Sequence, residues 1–497
     1  MKKGIVLFGL LCICLTAAPV WASKKTIEQA DLVAQIRPVR LAIVYEPPEW
    51  GDSGNPLSDA QVVSRFSTII YSRTRMRALL PLYRLAGYQG TALQYLTALD
   101  RIAAPNAAYA SPDGQNTYCS ENDRLFDADS DTVNMDKGDF CEIQDAIVAG
   151  EQGGDNCLRE YPDICLDESF FLHQQDGSRY VRGSGSRMSY RPNPASPAYR
   201  AYLVKRALRE INGGVEIDWD GTERPHPASG ATDIYLDNLE LSWDKFVREG
   251  DLPPREFASS EAYAAAVALL VDQVHDGLPA NTRRTVPLWA NLISDPGEGD
   301  SWQIFIANNS LEGAFMEDFL LDWGRGAYDP AFALTQLEKV ENWVQSGRKI
   351  VLVSQGDRDR GEDVFAREAL YAFAASLLVT DGVDVAFKYD NYTDETGEGR
   401  SEHYNEYYEY PENLYRLGYP TSGRIGSATN PYVFQRKFQC GVVKVDLVSG
   451  RSQVSMTPCY PTITPLPAEE DSTEAAVLTG ELTSKTTKNH ATADKKK

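Results

Sequence analysis

Histidine is scarce in this sequence. There are five in 497 residues, they are scattered, and no two cysteines stand as a Cys-x-x-Cys pair. A zinc centre of those residue types is therefore not the expected chemistry. No glycine-rich loop follows the first β-type run and no Gly-x-Ser-x-Gly elbow occurs, which removes a doubly wound nucleotide fold and serine-hydrolase chemistry. Positive charge is the other deficit: 49 Lys and Arg face 71 Asp and Glu, a net charge of -22. Such a chain repels nucleic acid and anionic membrane surfaces, so neither is an expected partner.

Long apolar runs are also missing beyond the leader "MKKGIVLFGLLCICLTAAPVWASKK". Its basic start, short apolar middle and small-residue exit at Val20-Trp21-Ala22 predict a signal peptide over residues 1–22, cleaved after Ala22. The run is short for a bilayer span, so the mature protein is expected to be exported, to the periplasm or beyond, without a membrane anchor. Six cysteines outlast the leader: Cys119, Cys141, Cys157, Cys165, Cys440 and Cys459. An even number in an exported chain predicts disulfides, and sequence neighbours give the simplest pairing, 119 with 141, 157 with 165 and 440 with 459.

Short β-type runs alternate with helical patterns along the mature chain. The β-type runs cover 39–45, 66–72, 91–99, the start of "ATDIYLDNLELSW" (231–243), 285–291, 311–317, 348–355 and 382–389. Amphipathic helical patterns lie at 196–211, 259–278, 330–347 and 364–380. Eight strand-helix steps predict an α/β fold, a (β/α)8 TIM barrel over residues 23–400. An insertion at 105–190, after the third strand, holds four cysteines. It lacks continuous apolar periodicity, so disulfides are expected to stabilise it, as a lid, a substrate-binding wall or a passive decoration. A β extension is expected over 401–465, stapled by Cys440 and Cys459, and a disordered tail over 466–497. The string "DADSDTVNMDKG" (127–138) lacks the glycine and glutamate of a calcium loop. It is read as a solvated acidic loop, with calcium on Asp127, Asp129 and Asp131 as the alternative; no metal or cofactor is required.

Alternation along "DIYLDN" turns Tyr235 and Asp237 toward the barrel lumen, and the same count in "GAFME" turns Phe315 and Glu317 inward. Two acids, with Asn291 between them at the end of "PLWAN", then face one mouth, where such barrels do chemistry. Paired carboxyl groups suit glycosidic bond cleavage, one protonating the leaving oxygen and the other attacking the anomeric carbon or activating water. Tyr45, Glu46, Tyr71, Arg73 and Gln355 end other strands and, with Asn238 beside Asp237, are expected to line the mouth. Trp289 and Trp243 are expected to stack on sugar rings. Glu240, Asp318 and Asp322 are read as loop or helix-start acids.

The order "NPASPAYRAYL", "DIYLDNLELSW", "WAN", "GAFMEDF", "VLVSQGD" and "YVFQRKFQCGVVKV" resembles the bacterial glycosidase-like proteins called glycoside-hydrolase-like family 15. More distantly it is similar to the endo-α-1,4-polygalactosaminidases of glycoside hydrolase family 114 and related exopolysaccharide hydrolases. The resemblance covers roughly residues 38–450. It implies Asp237 as nucleophile or stabiliser, Glu317 as proton donor and Asn291 as a partner of the sugar near the cleaved bond. The cysteine-bearing insertion and the altered strand "CGVVKVDL" depart from the pattern. The expected activity is a secreted, retaining glycoside hydrolase acting on a polysaccharide or oligosaccharide. The alternative is a carbohydrate-binding barrel without turnover.

Overall fold

The computed structural model describes residues 39–45, 49–50, 55–99, 102–103, 137–182, 189–217, 221–239, 241–243, 246–247, 252–281, 286–292, 301–322, 324–381, 384–393, 401–403, 406–407 and 417–456. They belong to one compact unit, Met1–Thr457; the second, Pro458–Lys497, lies outside the described residues. So do the leader, Glu46, Cys119, Glu240, Trp323, Cys459, the tail and positions 127–136 of the acidic string.

Eight strands form one parallel ring: β1 (Arg40–Val44), β2 (Phe66–Tyr71), β3 (Thr91–Thr97), β4 (Asp233–Asp237), β5 (Leu288–Asn291), β6 (Gly313–Met316), β7 (Lys349–Gly356) and β8 (Val385–Thr393). Each pairs with its successor, and β8 pairs back onto β1 through Ala386 beside Arg40 and Phe387 beside Leu41, which closes the barrel. All eight β-type runs of the sequence are therefore strands of one TIM barrel.

Helices α1 (Asp59–Arg65) and α2 (Arg73–Leu85) flank β2. Helix α3 (Lys137–Glu151) lies in the insertion, and α4 (Pro197–Asn212) leads back toward β4. Then α5 (Ser260–Asn281), α6 (Ser301–Ala307), α7 (Pro330–Gln345) and α8 (Glu362–Val379) separate β4 to β8. Their starts are written locally: Ser196 and Asp329 accept from backbone N–H groups of the first turn, and Pro197 and Pro330 take the position whose N–H has no helical partner,.

Apolar side chains split into two cores. Ile234, Leu236, Ala314 and Met316 pack outward against the helices, whereas Tyr235, Trp289, Phe315, Val351 and Val353 fill the lumen. This is the predicted alternation, and it fixes which residues reach the mouth. Trp289 sits level with Gly313 in the register, and a Cβ on Gly313 would overlap the indole, so glycine is required there.

The insertion holds more regular structure than its weak periodicity suggests. Helix α3 buries Phe140, Cys141, Ile143 and Ile147; Phe140 stacks on Tyr190, and Phe170 meets Tyr199 of α4 edge to face. Few apolar residues per turn suffice because the rest of the cover comes from distant chain. Cys157 and Cys165 are bonded to each other. Cys141 and Cys440 are also disulfide-bonded, with partners outside the described residues. Three antiparallel strands, β9 (Val433–Phe438), β10 (Gly441–Asp446) and β11 (Arg451–Met456), with a two-residue edge strand at Ile425–Gly426, form a four-stranded sheet that packs on α8. Arg436 donates to the Leu378 carbonyl at 2.7 Å and Ser452 to that of Leu370 at 3.1 Å. Among the described residues no helix is long and apolar enough to cross a membrane.

Candidate active site

A closed parallel barrel is staggered by about one residue per strand, so residues at one height come from alternate strands, two positions beyond the register partner. Leu236 pairs with Ala290 and Asn291 with Phe315. Asp237 is therefore level with Glu317, and Asn291 lies between them on β5. The side chains meet accordingly. Asn291 Nδ2 donates to Asp237 Oδ1 at 2.9 Å and to Glu317 Oε2 at 3.3 Å. Asp237 is 7% exposed, Glu317 8% and Asn291 1%.

Asp237 has four donors. Besides Asn291, Tyr95 and Asn238 donate to Oδ2, the latter at 3.0 Å, and Tyr235 donates to Oδ1 at 3.4 Å. Only acceptor lone pairs can take all four, which suits a carboxylate held in one orientation. The tyrosines stay neutral donors: burial above all, with the Asp237 charge next, pushes the Tyr95 and Tyr235 phenols well above their ordinary range. Burial and the same neighbours raise Tyr45, whose ring meets Tyr95 edge to face with centroids 5.0 Å apart.

Three described non-glycine residues have positive φ: Tyr45 (64°), Asn238 (56°) and Leu320 (62°). Tyr45 and Asn238 directly follow β1 and β4 and Leu320 stands four residues past β6, and for tyrosine and leucine the left-handed conformation is strained,. Packing and hydrogen bonds hold it: Arg75 donates to the Tyr45 carbonyl at 2.7 Å, and Gln336 of α7 accepts from Leu320 N–H at 2.7 Å.

The other expected mouth residues divide. Tyr45 and Asn238 join the site. Gln355 is 4% exposed on the lumen side of β7, above Val351 and Val353, and its Oε1 has no hydrogen-bond partner among the described residues, as is true of Asn291 Oδ1. Tyr71 instead turns outward into the helix layer beside Tyr83, because Ile70 takes the lumen side. Arg73 also leaves the mouth: it donates to His226 at 2.6 Å and approaches Glu210 of α4 at 3.7 Å, outside the barrel. Trp289 is 1% exposed below the carboxylates, its indole N–H donating to Asp233 Oδ2 at 2.9 Å, so neither face is open to a sugar. Trp243 is half-buried against Tyr263 of α5. Asp318 turns from the lumen toward Tyr328 and Gln336.

Sequence reasoning passed over Tyr95, Tyr235, Lys388 and Asp390. The tyrosines occupy lumen positions of β-type runs, where alternation alone assigns a large side chain no role beyond facing inward,. Lys388 and Asp390 were hidden by "VAFKYD", where the alternation that turns Phe387 and Tyr389 outward turns both charges inward. Lys388 is 3% and Asp390 1% exposed, and Lys388 Nζ lies 2.9 Å from Asp390 Oδ2. Among the described residues no group of histidine, cysteine and acids could hold a metal.

No protein-family profile matches the chain, and no curated protein matches it in sequence. Among solved structures it is similar to the glycoside hydrolase domain of PelA from Pseudomonas aeruginosa, at 14% identity and a TM-score of 0.37, over 71% of this chain and 94% of that one. It is also similar to a GH26 β-mannanase from Bacteroides ovatus, at 11% identity and a TM-score of 0.32, over 79% of this chain and 91% of that one. At scores this low neither likeness bears on the chemistry.

Proposed function

We propose that the protein is a glycoside hydrolase that cleaves a polysaccharide or oligosaccharide with retention of anomeric configuration. The observation that carries this reading is the pair of carboxyl groups, Asp237 and Glu317, joined by the Asn291 amide at the C-terminal mouth of a closed barrel. The two hydrogen bonds laid end to end bound the gap between those two oxygens at about 6 Å, which is compatible with the roughly 5–5.5 Å between the carboxyl groups of a retaining pair,.

Asp237 attacks the anomeric carbon. Its four donors hold the carboxylate in one orientation, and the Tyr95 and Tyr235 hydroxyls stabilise the charge that returns to it when the glycosyl bond is hydrolysed,. Glu317 gives its proton to the departing oxygen and then takes one from the water that releases the sugar. Asn291 keeps both carboxyl groups in register through both steps. The predicted leader accords with an exported enzyme that meets its glycan outside the cytoplasm.

Glycan screening of the mature protein tests this reading, scored by reducing-end release and by binding. Release that disappears in Asp237→Asn supports it. Binding without release on a broad panel would instead assign a carbohydrate-binding barrel, and an inverted first product would remove the nucleophile role from Asp237.

A further inference from the structure

We propose that Asp390 and Lys388 are positioning residues that set how firmly Glu317 holds its proton, Asp390 as a flanking carboxylate and Lys388 as the counter-charge that limits it. The inference rests on the reading of Glu317 as proton donor and extends the machinery to a strand not yet used.

The register places them. Phe315 pairs with Val351 and Val351 with Ala386, so Glu317 leads across β7 to Lys388 on β8, and the residue at its own height is Asp390,. The same step from Asp390 across β1, by way of Val44 and Ile70, reaches Ser72. One height of the barrel thus carries Ser72, Asp237, Glu317 and Asp390, from β4, β6, β8 and the end of β2. Glu317 has a carboxyl neighbour on each side. Lys388 lies one layer lower on β8 and reaches up to Asp390 Oδ2 at 2.9 Å, while Nζ also sits 3.4 Å from the Val44 carbonyl. Backbone N–H of Asn391 donates to Asp390 Oδ1 at 3.1 Å, which fixes the carboxyl group.

Among the described residues, the charged and titratable groups around Glu317 are Asp237 and Tyr235 of β4, Tyr95 of β3 and Tyr45 after β1, with Lys388 and Asp390 of β8 placed by the register; Asp318 faces away toward α7. The tyrosines are neutral, so among the described residues the field at Glu317 is set by two acids and one lysine. A like charge across a buried mouth favours the protonated form, and an opposite charge favours the ionised one. A general acid needs its proton at working pH, which a flanking Asp390 promotes. An unopposed Asp390 would hold it too firmly to release, and Lys388 limits that effect.

The test is a carboxyl-carbon NMR titration of the full mature chain labelled in glutamate, with Glu317 assigned from the signal missing in Glu317→Gln. Asp390→Asn is expected to move the Glu317 titration down by about one pH unit, and Lys388→Met to move it up by a similar amount. Opposite signs distinguish a field effect from a loosened fold, which would shift both variants one way. Shifts of the same sign, or shifts of less than a fifth of a unit in both, overturn the proposal. On a glycan that the parent cleaves, the alkaline limb of kcat/KM should move in the same two directions. Opposite NMR shifts without parental cleavage of any glycan would uphold the proton-holding role and remove the hydrolase reading. Cleavage without the shifts would do the reverse.

Discussion

Two clusters of acids in this protein, one half-buried around His173 and one buried at the barrel mouth, use similar groups to opposite ends. In the insertion, His173 donates through Nδ1 to Glu256 at 2.7 Å and through Nε2 to Glu168 at 3.1 Å, and Arg179 pairs with Glu168 as well. Burial would lower the His173 proton affinity, but its hydrogen bonds to Glu168 and Glu256 win and hold it above the ordinary value. Burial pushes Glu168 up, but His173 and Arg179 outweigh it and hold that carboxyl down at about 2. No buried polar atom of this cluster is left without a partner. At the barrel mouth, Asn291 Oδ1 and Gln355 Oε1 have no hydrogen-bond partner among the described residues and stand beside a carboxyl pair. A closed set of charges fastens segments together, whereas a set with buried acceptors in reserve is prepared for a ligand that brings donors. The first cluster joins the insertion to the 252–257 segment between β4 and α5, where Tyr180 donates to the Leu252 carbonyl at 2.5 Å and Arg255 N–H to that of His173 at 3.0 Å.

Substitutions can sharpen or break this contrast. The largest effect is expected from Asp237→Asn, which should cut kcat by at least about a thousandfold in steady-state assays while the melting temperature stays near the parent's, because an amide cannot form the glycosyl bond. Glu317→Gln should lose about a hundredfold to ten-thousandfold on glycans, and much less on aryl glycosides whose leaving group needs no proton. Asn291→Ala should lower kcat by about a hundredfold with a smaller change in KM, since it releases both carboxyl groups from their common donor.

At the satisfied cluster the outcome should reverse. His173→Leu is expected to cost about 3 kcal/mol in denaturant unfolding and to leave kcat of the folded enzyme within about twofold. This loss depends on pH. With its proton affinity raised on folding, His173 contributes fully below its ordinary value of 6.5, and the contribution fades as pH climbs through the folded value,. Glu168, lowered on folding, contributes above its ordinary 4.5 and fades as pH falls toward about 2,. The cost of His173→Leu should therefore be greatest near pH 5.5 and clearly smaller at pH 9. Mildest of all, Trp289→Phe should cost about 1 kcal/mol of stability through the lost bond to Asp233 and leave KM unchanged, whereas a sugar-stacking tryptophan would raise KM.

The barrel was legible because every strand carries its own period-two pattern, short and apolar, and the intervening helices carry period 3.6. Asp237, Asn291 and Glu317 were legible for the same reason: alternation along a strand tells which side a terminal residue faces. Tyr71 shows where that reasoning slips, since its facing depends on parity, and a β-type run of 66–72 does not by itself reveal that Ile70 is the lumen residue. Arg73 failed differently. It follows a strand that ends at the mouth, but a long side chain goes where counter-charges are, and Glu210 and His226 stand far away in sequence.

The sequence alone determined the alternation of strands and helices, the caps that start α4 and α7, and the inward turn of the two acids, because these are local properties of neighbouring residues. Tertiary structure decided the rest: that Asn291 spans both carboxyl groups, that Tyr95 from β3 reaches Asp237 on β4, and that Asp390 shares the height of the two carboxyl groups with Lys388 beneath it. Those relations depend on the stagger between strands and on closure of β8 against β1. Stagger is a property of pairs, set by packing around the whole ring, and no single segment encodes it.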